Sequence, residues 1–282
     1  MFLKQIIKKF IDINSKIIVR FFTNFKAGRY FLFKLNNKIV NEKKSVNIGN
    51  SKLFFYAPNE INLFRINTFF IKEPETLAWI DNFKEKSNFF DIGANIGLYS
   101  CYAAKKKKCN TFAFEPSFFN LEVLSKNIFV NNLSNLIKIV PISLSFERKI
   151  GEFNMSNTDW GGALSTFDEN ITFDGSDLKP VFKYTTMSIS LDECVSYFKF
   201  PQPNHIKIDV DGNEHLILSG ASKILQNTKS VLIEINENVK DVKERCEKPL
   251  KDSGLKFLKK TSLDYNSVGA FENCYNHIWV RD

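Results

Sequence analysis

From residue 88 onward, short uninterrupted apolar runs alternate with helical stretches, and this rhythm constrains the chain more than any other feature. NFFDIG (88–93) reads as a strand ending in a glycine turn. IGLYSCYAAKKKK (96–108) reads as a helix whose lysines fall in its last turn, where they complement the helix dipole. TFAFEP, LIKIVPISL, HIKIDV, VLIEIN and the closing YNHIWVRD read as further strands. SFFNLEVLSKNIFVNN, NEHLILSGASKIL and VKDVKERCEKPLKDSG read as helices. Strands without polar alternation are buried on both faces, so the pattern predicts a mostly parallel α/β sheet covered by helices, with the last strand antiparallel at or near an edge.

Before this core, SVNI and KLFFYA flank Gly49-Asn50 and predict a hairpin over residues 45–57. In RINTFFIKEPETLAWIDNF, Pro74 suits the first turn of a helix. The polar stretch NMSNTDWGGALSTFDENITFDGSDLKP reads as a long irregular insertion, and such loops are often functional. The expected organisation is a basic amphipathic helical extension over 1–44, a hairpin and helix lead-in over 45–87, and the core over 88–282. At 282 residues the chain can bury a sizeable core without covalent staples. Its five cysteines form no CxxC pair, which points to reduced thiols in a cytosol.

The net charge of +8 is unevenly placed. Residues 1–30 carry seven basic side chains against Asp12 alone, a net of +6, and leave only +2 for the remainder. A nearly neutral body argues against a phosphate-tracking surface, so no nucleic-acid partner is expected. In residues 3–22, Leu3, Ile6, Ile7, Phe10, Ile13, Ile17, Ile18 and Phe21 share one helical face, with lysines and Arg20 on the other. Three readings stay open: a helix docked on its own domain, one lying peripherally on an anionic membrane surface, at the inner face, or a fusion or targeting remnant. No apolar run is long enough to span a bilayer.

Three motifs carry the chemistry. In FFDIGANIGLYS, Gly93 and Gly97 bracket a turn that lets a ligand approach the backbone, and Asp91 sits at the strand end. An acid there repels a pyrophosphate and attracts an ammonium, which favours S-adenosylmethionine over NAD. Glu115, in FAFEP about twenty residues on, is placed to accept hydrogen bonds from ribose hydroxyls. In HIKIDVDGNEHLIL, Asp209, Asp211 and Glu214 crowd a strand end and the following helical turn, where Asp211, Asn213 and Glu214 also suit helix capping.

With these motifs in this order, together with RINTFFIKEPETLAWID, WGGALSTF and VLIEIN, the chain resembles the FkbM-type methyltransferases, from about residue 60 to its end. The resemblance implies the class I methyltransferase (Rossmann-like) fold, with a seven-stranded mostly parallel sheet and helices on both faces. It implies S-adenosylmethionine as cofactor, in a pocket built by Asp91, Gly93, Ala94, Asn95, Gly97 and Glu115, with Glu73 and Thr76 as wall residues. Relatives often carry a Ser-Asp pair near the adenine. Here PISLSFERKIGEF has Phe146 where the acid is expected, which leaves Ser143 or Ser145 for that contact.

The expected reaction is in-line transfer of the cofactor's methyl group to a hydroxyl of a sugar, glycolipid, polysaccharide or secondary metabolite. Asp209 is the first candidate to position or deprotonate that hydroxyl, followed by Glu214 and His215. Trp160, Gly161 and Gly162 read as an acceptor lid, and Asp211, Glu234 and Asn236 as acceptor contacts. No metal is expected, although Asp209, Glu234 and Asn236 could imitate a magnesium set. The rival classes are a nicotinamide-dependent oxidoreductase and a non-catalytic membrane-associated module with a vestigial pocket.

Overall fold

A computed structural model describes residues 2–172, 174–239, 241–262 and 273–282. Phe173, in the polar insertion, and Lys240, at the head of a predicted helix, lie outside the described residues. Helices α1 (Phe2–Thr23) and α2 (Lys26–Val40) lead to an antiparallel hairpin of β1 (Lys43–Ile48) and β2 (Ser51–Tyr56). The hairpin turns at Gly49, whose φ is +59°, as the Gly-Asn pair predicts. Helix α3 (Glu60–Asn67) starts at Asn59, whose side chain accepts the Asn62 N–H, and α4 (Pro74–Asp81) has its proline in the first turn.

The core then runs β3 (Asn88–Ile92), α5 (Leu98–Lys107), β4 (Asn110–Phe114), α6 (Phe118–Val130) and β5 (Ile137–Val140). It continues through β6 (Ser143–Ser145), β7 (Lys149–Met155), β8 (Thr166–Phe167), β9 (Phe182–Ser190) and α7 (Leu191–Phe198). It closes with β10 (His205–Ile208), α8 (Glu214–Ser219), α9 (Ser222–Leu225), β11 (Ser230–Asn236), α10 (Val242–Asp252), β12 (Lys256–Ser262) and β13 (Cys274–Val280).

The main sheet has seven strands in the order β12-β13-β11-β10-β3-β4-β5. The five strands from β11 to β5 are mutually parallel, and β13 pairs antiparallel with both its neighbours. The last strand is therefore reversed and near the edge, as expected, second from it. Alternation along β3 divides the core: Phe89 packs with Trp79, Phe83 and Leu232 on one face, and Phe90 with Phe112, Ile206 and Trp279 on the other. Phe89, Phe90, Phe112 and Phe114 of these strands are core residues.

Three local readings need correction. LIKIVPISL is not one strand: Pro141 lacks an N–H to continue the ladder, and β6 joins a second sheet of order β6-β9-β7-β8. The region read as irregular contains β8 and the end of β7 and is flanked by the long β7–β9 ladder, which alternates exposed and buried residues too weakly to stand out. NEHLILSGASKIL breaks at Gly220 into α8 and α9. The β1–β2 hairpin is held to the core by α6, where Asn131 and Asn127 accept the N–H groups of Phe54 and Tyr56, each at 2.8 Å.

Candidate active site

The carboxyl ends of β3, β4, β10 and β11 open into a cavity of about 400 Å³, roofed by α3, the turn after it, and loop residues 162–165. In a doubly wound sheet this is where ligands bind. The floor is the β3 turn. Gly93 adopts φ +80°, and its N–H and that of Ala94 both donate to the Phe114 carbonyl at 3.0 Å. A Cβ on Gly93 would lie 1.8 Å from the Asp209 carbonyl oxygen, so the glycine lets the ends of β3 and β10 meet. Gly97 also has positive φ, but its Cβ would meet Leu124 of α6 at 2.3 Å, and it does not line the cavity. Gly93 thus lines the cavity as well as letting the strands meet, whereas Gly97 serves packing against α6.

Glu115 lines the cavity just past β4. Its carboxylate accepts the N–H groups of Asn95 and Ser117, each at 2.8 Å. Burial pushes its pKa up to about 7 against those hydrogen bonds. Each oxygen keeps a further lone pair for a ligand hydroxyl. Ser143 also lines the cavity, and its buried Oγ has no hydrogen-bond partner. A buried hydroxyl left unpaired is costly, so this atom marks a place where a ligand's polar edge fits. Phe146 lies outside the cavity and is exposed, with Lys149 over its ring; it is neither a ring-stacking residue nor a core aromatic.

Asp91 is placed differently from its sequence reading. It is buried, its Oδ2 accepts the Ser100 hydroxyl at 2.5 Å, and it is not among the cavity-lining residues. Burial raises its pKa, and Lys207 opposes that from the paired position on β10. The cation this acid faces is therefore supplied by the chain itself.

Lys207 is one residue that sequence reasoning missed. It is 1% exposed, its Nζ donates to Asp209 Oδ2 at 2.6 Å, and it sits 5.0 Å over the Tyr99 ring. The available signal was a lysine in the middle of an otherwise apolar strand, IKI. Asp209 lines the cavity. Burial pushes its pKa up, but Lys207, Lys72 and Arg65 outweigh that and hold it below the usual carboxylate range. Glu234 lines the same cavity, and burial together with the Asp209 charge pushes its pKa well up. The surroundings thus favour the ionised form of Asp209 and the neutral form of Glu234. Environments that split two carboxyls in this way separate their roles.

Around this pair, Lys72 contacts Glu73 at 3.2 Å, and Glu73 accepts the Thr76 hydroxyl at 3.2 Å. Glu73 lines the cavity and Thr76 supports it from behind. Asp211, at φ +62°, accepts the Leu164 N–H at 2.7 Å; burial and the Asp209 charge raise its pKa to about 6.

The remaining candidates do not converge on the cavity. Glu214 turns back on its own helix start, where Oε1 accepts the N–H groups of Val210 and Gly212. Burial raises its pKa to about 7. His215 faces a separate pocket beside Arg245, and burial lowers its pKa to about 4. Asn236 lies outside the cavity and accepts the Asn238 N–H. A helix start holds Glu214, and a local turn includes Asn236.

The loop carrying Trp160 is tied down. The Trp160 indole donates to Glu122 of α6, and its carbonyl accepts from Asn59 and Asn62. Gly161 donates to Asn120 and accepts from Arg65, and the Gly162 carbonyl accepts from Asn95 and Asn120. Of the three predicted lid residues only Gly162 lines the cavity. The segment is a fixed wall, because side chains from α3, α6 and the β3 turn take up its backbone groups.

The family model of the methyltransferase FkbM domain matches residues 91–259. A hexuronic acid methyltransferase, AglP, of Haloferax volcanii is 28% identical over 167 residues, which is 58% of this chain and 62% of that protein. The match therefore spans less than two thirds of that relative. Among solved structures, methyltransferase FkbM from Methylobacillus flagellatus superposes with a TM-score of 0.47 at 14% identity, covering 70% of this chain and 44% of that one. TYW2 of M. jannaschii, in complex with AdoMet, gives a TM-score of 0.44 at 11% identity, covering 85% and 87%.

Proposed function

The chain belongs to the FkbM methyltransferase family, and on that premise we propose that it transfers a methyl group from S-adenosylmethionine to a hydroxyl oxygen of a sugar acceptor. The observation that carries this reading is Asp209, paired at 2.6 Å with buried Lys207 in the same cavity as Glu115 and the unpartnered Ser143 hydroxyl. The donor set suits the cofactor. Glu115 has lone pairs for the two ribose hydroxyls, Ser143 has a free hydroxyl for the adenine edge, and Ala94 and Asn95 offer backbone at close range. When bound, S-adenosylmethionine supplies an electrophilic methyl carbon.

The chain's own residues do the rest. Asp209 accepts the acceptor hydroxyl's hydrogen and holds its oxygen in line, while Lys207 fixes the carboxylate's orientation and charge. Glu234, as the neutral acid, donates a hydrogen bond to a neighbouring acceptor oxygen. The fixed wall at 162–165 excludes water. A sugar acceptor is favoured over nucleic acid by the relative named a hexuronic acid methyltransferase and by the nearly neutral charge of the body.

The test is transfer of labelled methyl from S-adenosylmethionine to oligosaccharides containing hexuronic acid. The expected product carries an alkali-stable label on a hydroxyl oxygen. An alkali-labile label would place the methyl on the carboxyl group, an acceptor that needs no base, and would remove the role given to Asp209.

A further inference from the structure

Helix α1 has no covering for its apolar face. Ile6, Ile7, Phe10, Ile13, Ile17, Ile18 and Phe21 are between 48% and 67% exposed, and among the described residues only the corner with α2 packs against it. At 22 residues, about 33 Å, it is too long and too apolar on one side to be left in water without cost. It is also too charged to cross a bilayer, since no described helix is long and apolar enough to do so. Helix α2 adds exposed Tyr30, Phe31 and Phe33.

Charge identifies the occupant. Residues 1–40 hold nine of the chain's lysines and arginines against Asp12 alone, so they carry its whole net charge of +8; residues 41–282 are balanced. A second copy pressed against this face would bring two such charges together in a low-dielectric contact. An anionic bilayer would neutralise them instead. On α1 the basic residues Lys9, Lys16 and Arg20 border the apolar arc, where long side chains reach headgroups while the isoleucines and phenylalanines enter the acyl boundary. The ring cluster of Phe21, Phe22, Phe25 and Phe31 sits at the corner between the helices.

We propose that α1 and α2 form an interfacial docking element that holds the protein on an anionic membrane surface without spanning it. This holds whether or not the methyl acceptor is lipid-linked.

The test is flotation of the full chain with vesicles of mixed phosphatidylglycerol and phosphatidylcholine, and with phosphatidylcholine alone. Flotation is expected with the anionic vesicles only, and is expected to weaken as salt is raised. The variant Lys9→Gln/Lys16→Gln/Arg20→Gln should bind about a hundredfold more weakly, at about fivefold per basic residue. The variant Ile13→Asp/Ile17→Asp should not float, while its thermal unfolding stays that of the parent because both side chains are exposed. Equal flotation of the parent and the Ile13/Ile17 variant overturns the proposal. So does a dimer in solution that the same variant dissolves, since that would make a second copy the occupant.

Discussion

Substituting Gly93 by alanine separates the packing role of the β3 turn from its ligand role. The residue adopts φ +80°, which costs an L-residue about 1–2 kcal/mol. The added Cβ would lie 1.8 Å from the Asp209 carbonyl oxygen, where ordinary contact begins near 3.4 Å, so a backbone shift of about 1.6 Å is required. No flexible side chain can absorb that movement. Overpacking of this kind costs about 1–3 kcal/mol. The Asp209 N–H, which donates to the Ile92 carbonyl at 3.1 Å, would also be strained, adding about 1 kcal/mol. Gly93→Ala should therefore lose about 3–6 kcal/mol in urea unfolding. In whatever fraction stays folded, Asp209 is displaced by more than an ångström, which should lower turnover by about a hundredfold or more. Gly97→Ala meets only the Leu124 side-chain end at 2.3 Å, so it should cost less, about 2 kcal/mol, and leave Asp209 in place. A Gly93→Ala protein within about 0.5 kcal/mol of the parent, with normal turnover, would refute this account of the turn.

Three further outcomes follow from the site. Asp209→Asn should lower kcat by about 10²–10³ while cofactor affinity, measured by calorimetry, is retained; unchanged turnover would remove Asp209 as the base. Ser143→Ala should weaken S-adenosylmethionine binding about fivefold, the value of one hydrogen bond, without loss of stability, because its Oγ has no protein partner to leave behind. Glu214→Gln should keep full turnover, since Glu214 faces its own helix start. Its folded pKa of about 7 lies above the ordinary 4.5, so the stability Glu214 contributes is present below pH 4.5 and is lost as pH rises through 7. Glutamine does not titrate, so the variant should gain about 3 kcal/mol relative to the parent between pH 4.5 and pH 8, read by urea unfolding.

The parallel core was legible because its strands are buried on both faces and announce themselves as unbroken apolar runs. The second sheet was not, since β7 and β9 mix exposed and buried positions in a stretch rich in turn residues. Within the site, Glu115 and Asp209 could be read from their place at strand ends, and Ser143, with Ser145 as the alternative, from the family resemblance. Asp91 could not, because the direction of its side chain depends on Ser100 and on a neighbouring strand that sets Lys207 beside it. Glu214 and Trp160 misled for a related reason: a carboxylate in a first helical turn and an indole in a glycine loop look catalytic until their local hydrogen bonds are seen. Arg65 and Lys72 were passed over because nothing in the sequence shows that α3 and its following turn fold over the cavity.

The central claim is that this cavity holds the methyl donor. Titration calorimetry of the parent protein with S-adenosylmethionine, S-adenosylhomocysteine and NAD tests it most directly. The account predicts that both sulfur ligands bind with micromolar Kd and that NAD does not. Binding of NAD alone, or of none of the three, would contradict it.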